Sequence, residues 1–120
     1  MVETNNAATN RRTQRRRTLA GVVSVLNQRN GSVIGRLVNI TTEGLMLVSS
    51  HPLATDTLYP IVLQLPEPLD DVTLIELGVD CLWTSPTAPD ADMYWSGCHI
   101  IDISETMFNY LTVLIESFGD

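Results

Sequence analysis

The chain has 120 residues, 44% of them hydrophobic, and a formal charge of −7 made by fourteen Asp and Glu against seven basic residues, all of them arginine. That length supports a single domain with a real core and leaves no room for a second, and no apolar run approaches the eighteen or so residues of a membrane span. Five of the arginines lie in residues 11–17; the remainder of the chain sets two Arg against the fourteen acids, or −12, which excludes a general polyanion-binding surface. The opening residues, Met1 to Asn10, lack the apolar stretch of a secretory signal and are read as belonging to a cytoplasmic protein. Cys81 and Cys98 are too few for a disulfide framework and are read as packing residues.

In chain order the signals are mostly β. A polar start rich in Asn and Thr reads as a flexible arm over residues 1–18. Leu19 to Leu26 is the first predicted strand, and Asn27 to Gly31 follows with an Asn-Gly step, a strong hairpin signal. Ser32 to Ile40 returns as the second strand, and Thr41-Thr42-Glu43-Gly44 turns the chain into Leu45 to Ser49. Thr57 to Leu65 is the fourth, closed by Pro66-Glu67-Pro68 because proline cannot donate to a ladder. Val72 to Thr84 is long and β-rich, and the Pro-containing loop Ser85 to Asp92 precedes Met93 to Ile101. The period then changes. Asp102 with Glu105 three residues on has the spacing of a capping box, and Met107, Leu111, Leu114, Ile115 and Phe118 define one apolar helical face, giving a helix over about 103–118. Six short antiparallel strands and a terminal helix point to a closed barrel over 19–120, since closure removes the exposed sheet edges.

Two segments carry chemistry. Arg11, Arg12, Arg15, Arg16 and Arg17 have no acidic neighbour. A guanidinium fork matches phosphate oxygens bidentately and stacks on flat rings, so the composition favours a phosphorylated aromatic ligand. Such a cluster alone also suits nucleic acid or a membrane surface. Asn39, Thr41 and Gly44 form the second segment: an amide able to pair with a nucleobase edge, a hydroxyl two residues on, and a glycine that permits a tight turn or close approach. Taken by itself, Asn-x-Thr-x-x-Gly is also an ordinary turn.

An Arg-x-x-x-Arg motif, one strand hairpin and then Asp/Asn-x-Ser-x-x-Gly, in that order, resembles the signature of the PilZ domain, the bacterial receptor for cyclic di-GMP. Here the first motif is Arg12 to Arg16, with Arg11 to Arg15 satisfying the same spacing one residue earlier, and the second is Asn39 to Gly44 with Thr41 in place of serine. Gly97 to Asp102 resembles the family's last strand leading into a C-terminal helix. The resemblance implies a six-stranded antiparallel barrel with a C-terminal helix. It also implies a non-enzymatic receptor in a bacterial cytoplasm. The arginines would clamp phosphates and stack on guanine, while Asn39 and Thr41 would read guanine or backbone and Gly44 would let the ligand lie close. Trp83 matches an aromatic near the ligand in some members, although a tryptophan in a strand is more often a core residue. Arg11, just ahead of the motif, goes in the family with a stacked pair of ligands, hence two cyclic di-GMP molecules per chain.

Binding would rearrange the arm against the barrel and so signal to an unidentified downstream protein in control of motility, biofilm or exopolysaccharide. The alternatives are a PilZ-type interaction subunit without nucleotide, as in type IV pilus assembly, and a nucleic-acid-binding barrel; the −12 outside residues 11–17 and the missing basic, aromatic-studded strand face argue against the latter. His51 and His99 have no second ligand at metal spacing, so no metal site is expected, nor is any cofactor or membrane insertion. Trp95 and Tyr94 alternate on one strand, so at least one is expected to be buried.

Overall fold

The computed structural model describes residues 19–118. Six strands form in chain order, β1 (Ser24–Asn27), β2 (Val33–Ile40), β3 (Gly44–Ser49), β4 (Thr57–Leu69), β5 (Val72–Pro86) and β6 (Tyr94–Asp102), followed by helix α1 (Glu105–Ser117). They pair in the order β1, β2, β3, β6, β5, β4 and close into a barrel, every ladder antiparallel. The expected architecture is the one the chain adopts. Chain neighbours make the hairpins, and two long-range seams finish the ring: β3 against β6, and β1 against β4.

Strand alternation fills the interior. Val25, Leu45, Leu47, Ile61, Leu63, Ile75, Leu77, Val79 and Cys81 are all buried in one cluster with Leu111 and Leu114 of α1. The helix therefore covers the apolar interior with the face its 3.6-residue period laid out. Two tight turns set hairpin registers: Gly31, at φ +74, follows β1, and Asp70 and Asp71, at φ 48 and 69, form the two-residue link between Leu69 and Val72.

Three boundaries differ from the sequence expectation, each for a local reason. β1 begins at Ser24 rather than Leu19, because Gly21 at φ +101 breaks the extended run. The preceding residues bond elsewhere, Leu19 N–H to the Ser117 carbonyl at 3.1 Å. β4 continues through Pro66 and Pro68 to Leu69, with its pairing to β5 shifted between Gln64 and Leu69, so no ladder donor is demanded there. Asp102 ends β6 instead of capping the helix. Ser104 is the N-cap, its Oγ accepting from Met107 N–H at 3.1 Å.

Cys81 and Cys98 face each other across β5 and β6 as free thiols inside the barrel. Burial, then the neighbouring Cys81, then the Asp80 carboxylate push the Cys98 thiol from 9.0 up to about 12. Folding thus disfavours the thiolate. The stability this group contributes is complete below pH 9 and declines as the pH rises toward 12, where the unfolded chain has lost a proton the folded chain still holds. Urea denaturation at pH 9, 10 and 11 should show the unmodified protein losing up to about 1.4 kcal/mol per pH unit more than Cys98→Val; parallel pH profiles for the two would refute this assignment.

Candidate functional site

The Thr41 to Gly44 turn is built by its own hydroxyl. Thr41 Oγ1 accepts from the Glu43 and Gly44 N–H groups, both at 3.2 Å, and donates to the Gly44 carbonyl at 3.3 Å, while Thr41 N–H reaches that same carbonyl at 2.8 Å. Glu43 C=O in turn accepts from Ile100 N–H at 2.8 Å, tying the turn to β6. Gly44 has no room for a side chain, because a Cβ there would lie 2.5 Å from the Cys98 carbonyl oxygen. The close approach this glycine permits is to the protein's own strand. The hydroxyl and the glycine therefore hold a loop shape.

Asn39, beside this turn, is exposed. Its Oδ1 accepts from Ile40 N–H at 2.8 Å, which leaves the amide NH₂ as the outward group, a donor looking for acceptor oxygens or ring nitrogens. A register shift between Leu37 and Asn39 aims it outward, since the extra residue lets Leu37 and Ile40 both be buried while Asn39 between them is exposed.

The ladder registers then place four residues in one row across the outside of the barrel. Asn39 pairs with Met46, Met46 with Gly97, and Gly97 with Trp83. A second register shift, between Cys81 and Trp83, sets Trp83 on the outer surface and Thr84 inside, where its hydroxyl meets Ser96 Oγ at 3.1 Å. The Trp83 indole lies against Gly97, where any Cβ would overlap Nε1. Trp83 remains 43% exposed. Of its two sequence readings, core or surface aromatic, the structure gives the second. Tyr94 and Trp95 are both half-buried, so neither is the fully buried aromatic that alternation suggested.

The neighbouring row on the Thr41 side runs through Gly44, His99, Asp80 and Leu58. Sequence reading singled out neither Met46 nor Gly97 as part of this face; the signal available was Gly97 two residues before His99, on one side of a strand. Two shallow cavities of about 280 and 200 Å³ lie elsewhere, over Gly78, Pro60 and Asp102, and neither is lined by Asn39, Thr41, Gly44 or Trp83. On the motif face Asn39 and Trp83 are both exposed.

Arg11, Arg12, Arg15, Arg16 and Arg17 lie outside the described residues. The described chain that follows them is first held at Leu19, whose N–H donates to the Ser117 carbonyl at 3.1 Å, and then at Val23, whose carbonyl accepts from Leu37 N–H at 2.9 Å beside β2, the strand that carries Asn39. Among the described residues no group of His, Cys, Asp and Glu could hold a metal ion, and no helix is long and apolar enough to cross a membrane.

The model of the PilZ domain matches residues 9–117, which takes in both arginine registers, the Asn39 to Gly44 turn and the helix. The chain belongs to the PilZ domain family. PilZ domains are non-enzymatic receptor domains, and the ligand of the family is cyclic di-GMP. Among solved structures, that of the Bacillus subtilis inhibitor of motility (MotI/DgrA) is similar in fold, with a TM-score of 0.59 at 18% identity. The match covers 76% of this chain and 43% of that one, so the chain spans less than half of the neighbour's length. Among curated proteins, none matches this sequence.

The turn chemistry separates two substitutions at one position. Thr41→Ser keeps the hydroxyl and should leave stability within about 0.5 kcal/mol, whereas Thr41→Val should cost about 1 kcal/mol in chemical denaturation. Gly44→Ala should cost about 1–3 kcal/mol, since β3 must separate from β6 to admit the methyl group.

Proposed function

We propose that this PilZ domain is a cyclic di-GMP receptor and adaptor that carries no catalytic activity, in which an arginine-rich arm, residues 1–18, closes over a ligand held on the barrel, residues 19–120. The observation that carries this reading is the outer row that sets Asn39 and Trp83 on one face, flanked by the Thr41 to Gly44 turn. The exposed NH₂ of Asn39 suits guanine O6 or N7, or a phosphate oxygen. Trp83 offers a ring for base stacking. The arm's guanidiniums supply what the acidic barrel cannot, bidentate contacts to phosphate and planar contacts to guanine.

Arg11, together with Arg15 and Arg17, supports a stacked pair of ligands, whose four phosphate charges exceed what two guanidiniums balance. Closing the arm changes the surface shown to a downstream protein, and that change is the signal. The process so controlled would be of the kind PilZ receptors serve: motility, biofilm or exopolysaccharide.

Calorimetric titration of the full chain with cyclic di-GMP tests the reading. Micromolar or tighter binding, roughly 8 kcal/mol or more, is expected; no heat at near-millimolar ligand would instead favour an interaction subunit that works without nucleotide. Arg12→Ala and Arg16→Ala should each weaken binding by about 1.5–3 kcal/mol, tenfold or more, with thermal stability unchanged. If Arg11→Ala and Arg15→Ala are the damaging pair, the earlier register is the one used.

Stoichiometry has its own test. The unmodified chain should take two ligands at concentrations well above the dissociation constant, and Arg11→Ala should reduce the ratio to one. A ratio of one in fully active, unmodified protein would reject the stacked pair.

A further inference from the structure

Next to the row of Asn39, Met46, Gly97 and Trp83 runs a second outward row. Arg36 pairs with Val48, Val48 with Trp95, and Trp95 with Ser85. On its other side Arg36 pairs with Ser24, which pairs with Gln64. Leu37, the next residue along β2, is buried, so Arg36 faces outward, and it is exposed. Trp95 is on the same parity of β6 as Gly97, and it is absent from the side chains that pack on the barrel interior. Val48 between them is 3% exposed yet also stands apart from the interior cluster, so its cover comes from the outer face.

The two rows are about 7 Å apart, two residues along β3, β6 and β5 and three along β2, where the register shift inserts one. That is within the reach of one arginine or tryptophan side chain from its neighbour's ligand. The rows on either side of Asn39 differ in charge. Toward the turn stand Glu43 and Asp80; toward Arg36 the row reads Gln64, Ser24, Arg36, Val48, Trp95 and Ser85, with no acid in it. Among the described residues Arg36 has no carboxylate partner. An anion centred on Asn39 is therefore repelled on one side and attracted on the other.

We infer that Arg36 and Trp95 form a second contact row of the ligand face, Arg36 taking a phosphate and Trp95 the face of a purine base of a cyclic dinucleotide. This assignment rests on the cyclic di-GMP reading above. It adds a cation supplied by the barrel itself, fixed on a strand, to those supplied by the arm. A guanidinium held on a strand has its backbone already fixed and loses only side-chain freedom on binding. It also sets the direction in which the ligand lies across the strands, from Asn39 toward Trp95 and away from Asp80.

The test uses the full chain and calorimetry with cyclic di-GMP. Arg36→Ala should weaken binding tenfold or more and Arg36→Glu a hundredfold or more, each with an unchanged melting temperature. Arg29→Ala removes the same charge at the Asn27 to Gly31 turn, away from the face, and should stay within twofold of the unmodified protein. Trp95 is read separately: in Trp83→Phe, where it is the sole tryptophan, saturating ligand should quench its emission. An affinity of Arg36→Ala equal to that of Arg29→Ala, or an unmoved Trp95 emission, would overturn the assignment while leaving the receptor reading intact. Failure of the unmodified chain to bind at near-millimolar ligand would overturn both.

Discussion

The candidate face depends on one long-range seam, the ladder between β3 and β6. These strands are not neighbours in the chain, and they meet in continuous register from Gly44 opposite His99 to Ser49 opposite Tyr94. Without that register Met46 would not face Gly97, and the turn carrying Thr41 would not be tied to Ile100. Gly44 lets this seam close, because a side chain there would meet the Cys98 carbonyl, and on the other side of β6 Gly97 makes space for the Trp83 indole of β5. Small residues thus decide how closely the strands approach, and the closeness decides which side chains share the surface.

Register shifts do the rest of the positioning. In an unbroken strand, residues alternate between interior and solvent, so a single extra residue exchanges the two faces beyond it. One shift in β2 turns Asn39 outward after the buried Leu37, and one in β5 turns Trp83 outward after the buried Cys81. The same irregularities that interrupt the ladder therefore assemble the face. Their cost is met by the interior, where eighteen buried residues from all six strands and the helix form one cluster.

Charge is divided sharply along the chain. The strongly basic segment precedes the barrel, and the barrel carries the acids. An anionic ligand has little electrostatic reason to settle on such a body unless cations are brought to it, which is why a receptor of this composition needs its arginines on an attached segment. The described chain after it runs from Leu19, bonded to the Ser117 carbonyl at the end of α1, to Val23 beside β2, the strand that carries Asn39.

Much of this was legible in the residues. Period-two alternation set out the strands, the Asn-Gly step located the first hairpin, and the period change after Ile101 located the helix, because local backbone geometry imposes those periods wherever the chain lies. The two motifs named the family for the same reason, being short and contiguous. The element ends were less legible: Asp102 had the spacing of a cap, but β6 claimed it for the sheet and Ser104 took its place. Nothing local distinguishes those outcomes. The turn at Thr41 was legible, since its bonds are local, whereas the clearance of Gly44 from Cys98 and the outward placement of Trp83 were not, since each depends on a strand remote in sequence. Sequence by itself determined the elements, the charge division and the motif residues. Only the tertiary structure decided which of them stand side by side, because register and bulges are set by packing across the barrel and not by any one strand.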